Sequence, residues 1–555
     1  YSMASFSIFK KNSLRIAHLP TIALSLGYLI YWLELYSLKI GRGRTSILAT
    51  VLFALIAVIV IIKQKQAIYP SYIWFRESWS KLSKLRKFYI FLGFLFVFII
   101  AALAFYASLF PPHLSQEYDA LNYHLTLPRQ HLIAESFSHI SWSAADLFVL
   151  PINLALSPYW FVTSLPNKIP QFFFLLGLAG VAAGVVKKIS KSKFISTTIA
   201  IFAIFGSHFI GIQMGTAMLD MIICYLFIAA LDSFLNKDFS LGMIEFTFFF
   251  WSKPFVSFQF CFVFIMTGLL FILFKKIGFT NMVSGFSQIV SMPSRKKIFK
   301  YIRKTLLAFI ILTVIIAGPF LLKSTYVAGT PLFPFFTNSI SINKDISDEF
   351  KNSLNLSSKL FLKTKDDYGY GRSLGSFLKH FWLISVPDHG VNNKYDYPVG
   401  LMYLIFLGPF FYMLFFSILK KKFFPILPIF IIVYWMSWWF GSQQARFLYI
   451  PIVLMIIAVA CEIKAPSTTF MITTMIALSL CSLSVFRAHR RYFGLSRTAV
   501  LRPKDKKLLL LNHGYYQVKS TKAVQLGYHD VAYANFPVIV SQNNKQWVLE
   551  GSGSK

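Results

Sequence analysis

Phe88–Phe110 reads FYIFLGFLFVFIIAALAFYASLF, an apolar stretch without a single charge. Coiled into a helix it is long enough to cross about 30 Å of hydrocarbon. Separate runs of this kind, each about 17 to 23 residues long, recur from Ile16 to Phe486. They are too long and too continuous for barrel strands, so the spans are expected to be helices. The whole chain agrees: of its 555 residues 56% are hydrophobic and 14% charged, the balance of an integral membrane protein.

The runs predict about thirteen spans, near 18–38, 46–62, 88–110, 170–186, 194–211, 216–235, 241–252, 255–274, 305–322, 399–418, 424–440, 447–462 and 468–486. Six segments follow: N-terminal spans (1–110), a first loop (111–169), central spans (170–322), a second long loop (323–398), C-terminal spans (399–486) and a small tail domain (487–550). The tail carries LLLLNHGYYQV, VAYANFPVIVS and QWVLE, which read as short strands, so this part is expected to be α+β or β-rich. The first loop, rich in Trp, Tyr, Leu and Pro, is expected to form short helices on the membrane surface. No cleavable signal peptide is expected, because the first apolar segment is long and lacks a small-residue cleavage motif.

The formal charge of +34 would suit nucleic acid, but the Lys and Arg sit in short clusters at span ends. Anionic lipid headgroups and topology account for that placement, and no nucleic-acid partner is expected. The clusters at Lys63–Lys87, Lys187, Lys275, Arg295 and Leu419 orient the chain with those connections in the cytoplasm. The basic segment RAHRRYFGLSR then falls outside, against the same rule.

Five polar features are thereby expected on the external face. EYDALNYHL places Glu117, Asp119, Tyr123 and His124 directly after the run at Phe88–Phe110. Asp220 opens its span, Lys253 stands in the break Trp251–Pro254, the second loop starts at Lys323, and GSQQAR ends at Arg446. Each has a plain reading: Asp119 as a helix cap, Asp220 as a dipole partner, the lysines and arginine as interfacial anchors. His124 and His131 lie two turns apart if Pro128 leaves the helix intact, with His113 and His139 flanking, but a metal site is not favoured. The four cysteines lie inside apolar runs without metal-type spacing, so neither a disulfide framework nor a zinc site is expected. Taken together, acids facing cations at a membrane surface suit a lipid-linked phosphate: a cation steadies the departing phosphate while a carboxylate takes a proton from an attacking hydroxyl.

At these residues the chain resembles the GT-C glycosyltransferases, in the lipid-carrier-dependent group related to protein O-mannosyltransferases and lipid A aminoarabinose transferase. EYDALNYHLTLPRQHL is similar to the family's first-loop motif, which implies that Asp119 is the catalytic base or acceptor-positioning group. GTAMLDMIICYLFIAAL, FWSKPF, LLKSTYVAGTPLFPFF and GSQQARFLYIP resemble later motifs and bring in Asp220, Lys253, Lys323 and Arg446. The motifs depart from the family pattern at Ala120, Thr330 and Ser324, and the second acid, Glu117, precedes Asp119 instead of following it.

The resemblance implies a GT-C-like fold and transfer of a sugar from a polyprenyl-phosphate donor to a lipid or glycan acceptor, with inversion. Asp119, Glu117 and Asp220 would be catalytic. Lys253, Lys323 and Arg446 would bind the donor phosphate, and Tyr123, His124 and Gln444 would position the substrates. The site would lie on the periplasmic or extracellular face of an inner or plasma membrane. No cofactor is implied; a divalent metal is compatible but not favoured. The alternatives are a polymerase or ligase that takes glycan from a diphosphate carrier, and a transporter of lipid-linked glycans.

Overall fold

A computed structural model of the chain describes residues 15–36, 42–110, 112, 117, 119–140, 143–160, 167–190, 193–276, 295–337, 348–363, 368–386, 394–396, 398–419, 426–463, 465–493, 524–525, 539–543 and 546–550. It is an all-α polytopic membrane architecture apart from three short strands near the C-terminus. The helices are α1 (Leu19–Tyr36), α2 (Arg42–Ser80), α3 (Lys84–Ser108), α4 (Thr126–Ala134), α5 (Pro151–Trp160), α6 (Ile169–Ile189), α7 (Lys193–Phe205), α8 (His208–Gln213), α9 (Asp220–Leu235) and α10 (Phe239–Phe250). After them come α11 (Pro254–Lys276), α12 (Arg295–Ile316), α13 (Gly318–Ala328), α14 (Asp348–Lys363), α15 (Leu374–Leu383), α16 (Leu401–Leu419), α17 (Ile426–Phe440), α18 (Tyr449–Glu462) and α19 (Thr468–Phe493).

Helices cover the expected spans, but the stretch 194–211 is divided between α7 and α8 and the stretch 305–322 between α12 and α13. Among the described residues seven helices are long and apolar enough to cross a membrane, or eight if the bent pair α12–α13 counts as one span; α7, α10, α16 and α17 are apolar but shorter. The connection expected around Lys63 is a continuation of α2, which runs unbroken to Ser80. Likewise, α19 carries the start of the basic tail segment as helix out to Phe493. Beyond it, Val524–Gln525 (β1), Ile539–Asn543 (β2) and Gln546–Glu550 (β3) pair antiparallel in the order β1-β3-β2. The expected strand at 508–518 lies outside the described residues, as does His113.

Burial sorts the helices. α9 and α18 are almost wholly enclosed by protein, whereas α2, α11 and α12 present large apolar side chains outward, such as Leu55, Phe264 and Val314. In water such exposure would be a liability; against lipid tails it is the ordinary surface. Helices approach closely where side chains are smallest. A Cβ on Gly27 of α1 would stand 2.0 Å from the Ala155 carbonyl of α5, so that crossing requires glycine.

Two breaks matter for the site. Pro254 opens α11 at a position where its missing N–H is not needed, so the chain turns at Trp251–Lys253 and leaves Lys253 as a buried connector residue. Between α12 and α13 the axis bends by 61°. Pro319 cannot donate to the Ile315 carbonyl four residues back. The Tyr28 hydroxyl takes that role, donating to Ile315 O at 3.1 Å and Ile316 O at 2.9 Å.

A buried polar network that no sequence signal announced ties α1, α9 and α10 together. His18 lies 2.9 Å from Asp232 and 2.7 Å from Glu245, Arg15 reaches Asp232 at 3.0 Å, and Thr21 and Ser233 both donate to Glu245. It occupies the end of α9 opposite Asp220, about 18 Å away along the helix.

Candidate functional site

The first loop enters the site through an unusual turn. Ala120–His124 is wound wide, with Leu125 N–H donating to the Ala120 carbonyl at 2.9 Å, and α4 begins only at Thr126. Pro128 therefore falls in the first turn of α4, where helices tolerate it. The wide turn also separates His124 from His131: His124 Nδ1 lies 3.0 Å from Asn153 Oδ1, while His131 Nε2 lies 3.0 Å from Asp146. Among the described residues no group of three or more His, Cys, Asp or Glu is arranged to hold a metal ion.

Asp119 makes no capping bond with the turn it precedes. Its Oδ2 instead accepts from Arg446 Nη1 at 2.5 Å, joining the first loop to the segment before α18 across 327 residues of sequence. The Tyr123 hydroxyl hydrogen-bonds the same carboxylate. Beside this pair stands a second: Lys253 Nζ donates to Asp220 Oδ1 at 2.8 Å, linking the start of α9 to the α10–α11 break. Asp220 Oδ2 is buried without a hydrogen-bond partner. Burial alone would push the Asp119 carboxyl up, but Arg446, Lys253 and His124 overrule it and hold it at about 2. Burial, reinforced by Lys253, lowers His124 to about 3, so this imidazole is neutral near pH 7.

The second loop closes the ring. Asp396 Oδ2 lies 3.0 Å from Arg446 Nε as an ion pair, while that N–H donates to Gln444 Oε1 at 3.2 Å. The Tyr368 hydroxyl hydrogen-bonds Gln444 in turn. These contacts depend on tight backbone ties. Gly369 N–H donates to the Lys394 carbonyl at 2.7 Å and Ala445 N–H to the Tyr395 carbonyl at 2.8 Å. Gly369 itself has φ +89°, and a Cβ there would meet Gln443 Oε1 at 1.6 Å, so no other residue fits.

The charged side chains are not sealed in. Asp396 keeps 22% of its side-chain surface exposed, Asp119 19%, Arg446 13% and Lys253 11%, against 3% for Asp220. Four of the charged side chains thus keep some contact with solvent, while Asp220 is almost enclosed.

No family model, curated protein or solved structure matches the chain.

The structure therefore brings together Asp119, Tyr123, His124, Asp220, Lys253, Gln444 and Arg446. It places two other sequence candidates elsewhere. Glu117 is fully buried, with Oε2 3.3 Å from Lys168 Nζ and Oε1 accepting from Ala217 N–H at 2.6 Å, which anchors the first loop on the start of α9. Lys323 lies within α13 and donates to Asp146 Oδ1 at 2.9 Å, with the Phe137 ring 4.0 Å from its Nζ. Asp146 also takes His139 at 3.2 Å and Ile140 N–H at 2.9 Å, and with Lys323 beside it stays well below the usual carboxylate range although burial opposes this.

Three groups escaped sequence reading: Asp396, Tyr368 and Asn153. Asp396 sits in NNKYDYPVG, an acid among aromatics before proline, and only its place in the long second loop could have marked it.

Proposed function

We propose that this chain is a glycosyltransferase of the GT-C type. It would move a sugar from a polyprenyl-phosphate donor to a hydroxyl of a lipid or glycan acceptor at the external face of an inner or plasma membrane. The observation that carries the reading is the Asp119–Arg446 ion pair, partly open to solvent and flanked by Lys253–Asp220. On this reading all thirteen expected spans cross the membrane, the residues after Phe493 form a small separate domain, and Lys323 supports the first loop while Arg446 and Lys253 receive the phosphate.

The chemistry follows from charge. An acceptor O–H attacks the anomeric carbon, the bond from that carbon to the phosphate oxygen breaks, and its electron pair leaves with the polyprenyl phosphate. The acceptor proton passes to Asp119, and attack from the face opposite the phosphate inverts the centre. Arg446 and Lys253 stabilise the charge on the leaving phosphate. A carboxylate held at about 2 is a weak base. When the donor phosphate claims Arg446, it relieves Asp119 of the charge that keeps it acidic, so that the base strengthens once the donor is bound.

The test is sugar transfer in vitro from a panel of synthetic polyprenyl-phosphate sugars, with wild type against Asp119→Asn in the same folded state. Transfer by wild type that disappears in the variant supports the reading. Absence of transfer from every monophosphate donor would turn attention to diphosphate carriers or to transport.

A further inference from the structure

Taken as charges, the site is crowded on the negative side. Asp119, Asp220 and Asp396 outnumber Lys253 and Arg446, and His124 is neutral. A phosphate adds further negative charge, and like charges in a partly desolvated site cost several kcal/mol when brought together. One carboxylate therefore has to give way.

The three acids are not held alike. Asp119 accepts a 2.5 Å hydrogen bond from Arg446, and Asp220 accepts a 2.8 Å hydrogen bond from Lys253. Asp396 Oδ2 is close to Arg446 Nε but outside hydrogen-bonding alignment, and it is buried with no hydrogen-bond partner among the described residues. Its backbone has φ +78°, a region L-residues other than Asn, Asp and His rarely enter. The neighbouring bond from Ala445 N–H to the Tyr395 carbonyl and the stacking of Tyr395 on Trp438 hold the chain in that posture. Strain of this sort persists where the surroundings impose it, and it gathers at ligand clamps. Burial raises the Asp396 carboxyl above its ordinary value despite Arg446, in keeping with a group poorly paid for its charge.

We infer that Asp396 is a placeholder: it stands beside Arg446 Nε before the donor binds and yields that place to the phosphate of the donor. The inference rests on the proposed reading of Arg446 as a phosphate-binding residue and deepens it. Asp396 would limit phosphate affinity and keep Arg446 oriented between turnovers, so that released polyprenyl phosphate is displaced as the carboxylate returns. It is a positioning residue; its carboxylate touches Arg446 and takes no part in bond making.

The experiment measures equilibrium binding of a C20 polyprenyl monophosphate, and separately of inorganic phosphate, to the full chain in nanodiscs. The proteins compared are wild type, Asp396→Asn, Asp396→Gly and Arg446→Ala. Asn tolerates the left-handed backbone and Gly relieves it, so both variants should fold; thermal unfolding checks this. Both should bind the polyprenyl phosphate on the order of tenfold more tightly than wild type, equivalent to about 1.4 kcal/mol, while Arg446→Ala binds more weakly. A parallel gain for inorganic phosphate shows that the site recognises the phosphate group alone; a gain confined to the lipid shows that the chain is needed as well. Wild-type binding that Arg446→Ala weakens but both Asp396 variants leave unchanged or reduce overturns the placeholder and spares the donor reading. Absence of polyprenyl-phosphate binding in every protein overturns both.

Discussion

Asp119→Asn removes one charge at almost constant size, and its consequences separate the roles of the two partners in the central ion pair. The carboxylate stands 2.5 Å from Arg446 Nη1 and accepts both from Arg446 and from Tyr123 of the turn that follows it. As the group that takes the acceptor proton, its loss is expected to lower transfer by about 10² to 10⁴, or about 3 to 5 kcal/mol of barrier. Donor binding should move the other way or not at all, because Arg446 is then left with Asp396 as its only acidic partner among the contacts described. Single-turnover transfer measures the first quantity and equilibrium binding of a polyprenyl phosphate the second. A turnover rate within about threefold of wild type, in protein of normal thermal stability, would falsify the assignment of Asp119 as base. Loss of donor affinity equal to the loss of rate would also refute it, by showing that Asp119 acts through binding.

Arg446→Ala is expected to weaken polyprenyl-phosphate binding by about a hundredfold, within the 2–5 kcal/mol typical of truncating one partner of a buried charge pair, in the same titration. Lys168→Met removes the Lys168 counter-charge from the Glu117 carboxylate in a site where both side chains are 0% exposed, and should destabilise the protein by about 3 to 5 kcal/mol in detergent unfolding. The double variant Glu117→Gln/Lys168→Met should recover most of that loss; no recovery would mean that Lys168 matters for packing alone. Gly369→Ala is expected to cost about 1 to 3 kcal/mol from its backbone alone and to weaken donor binding, because it pushes Gln443 against the turn that carries Arg446. Since the Asp119 carboxyl is depressed to about 2 on folding, its pairing stabilises fully above about pH 4 and is lost as pH falls through about 2. The difference in unfolding temperature between wild type and Asp119→Asn should accordingly be constant above pH 4 and shrink below it.

Much of this was readable in the amino-acid order. Hydrophobic length marked every helix that fills an expected span, because in lipid a helix is the only open-ended way to satisfy the backbone. Lone ionisable residues at span edges marked Asp119, Asp220, Lys253 and Arg446, because a charge there is costly unless something holds it. What could not be read was pairing. Glu117 and Asp119 are two residues apart, yet the first is clamped by Lys168 and the second by Arg446, partners 51 and 327 positions away that no local pattern announces. Lys323 has the same sequence profile as Lys253, but the 61° bend after α12 carries it to Asp146. Asp396 left no trace, for its position depends on a left-handed backbone and two loop hydrogen bonds with no periodicity to betray them.

The registration of Asp220 against Lys253 has a cause at the far end of the same helices. α9 and α10 form a hairpin joined by the short connection Asn236–Asp238, so sliding one helix along the other would separate the two site residues. Apolar packing alone resists such sliding weakly, because one leucine contact substitutes for another. The His18 bridge does not permit it: Asp232 of α9 and Glu245 of α10 meet the two nitrogens of one imidazole, and Ser233 of α9 donates to Glu245 at 2.7 Å. A shift of one residue, about 1.5 Å, would leave buried carboxylates unpaired, a far larger penalty than any lost apolar contact. The network that ties down one end of the hairpin therefore fixes the spacing of the charges at the other.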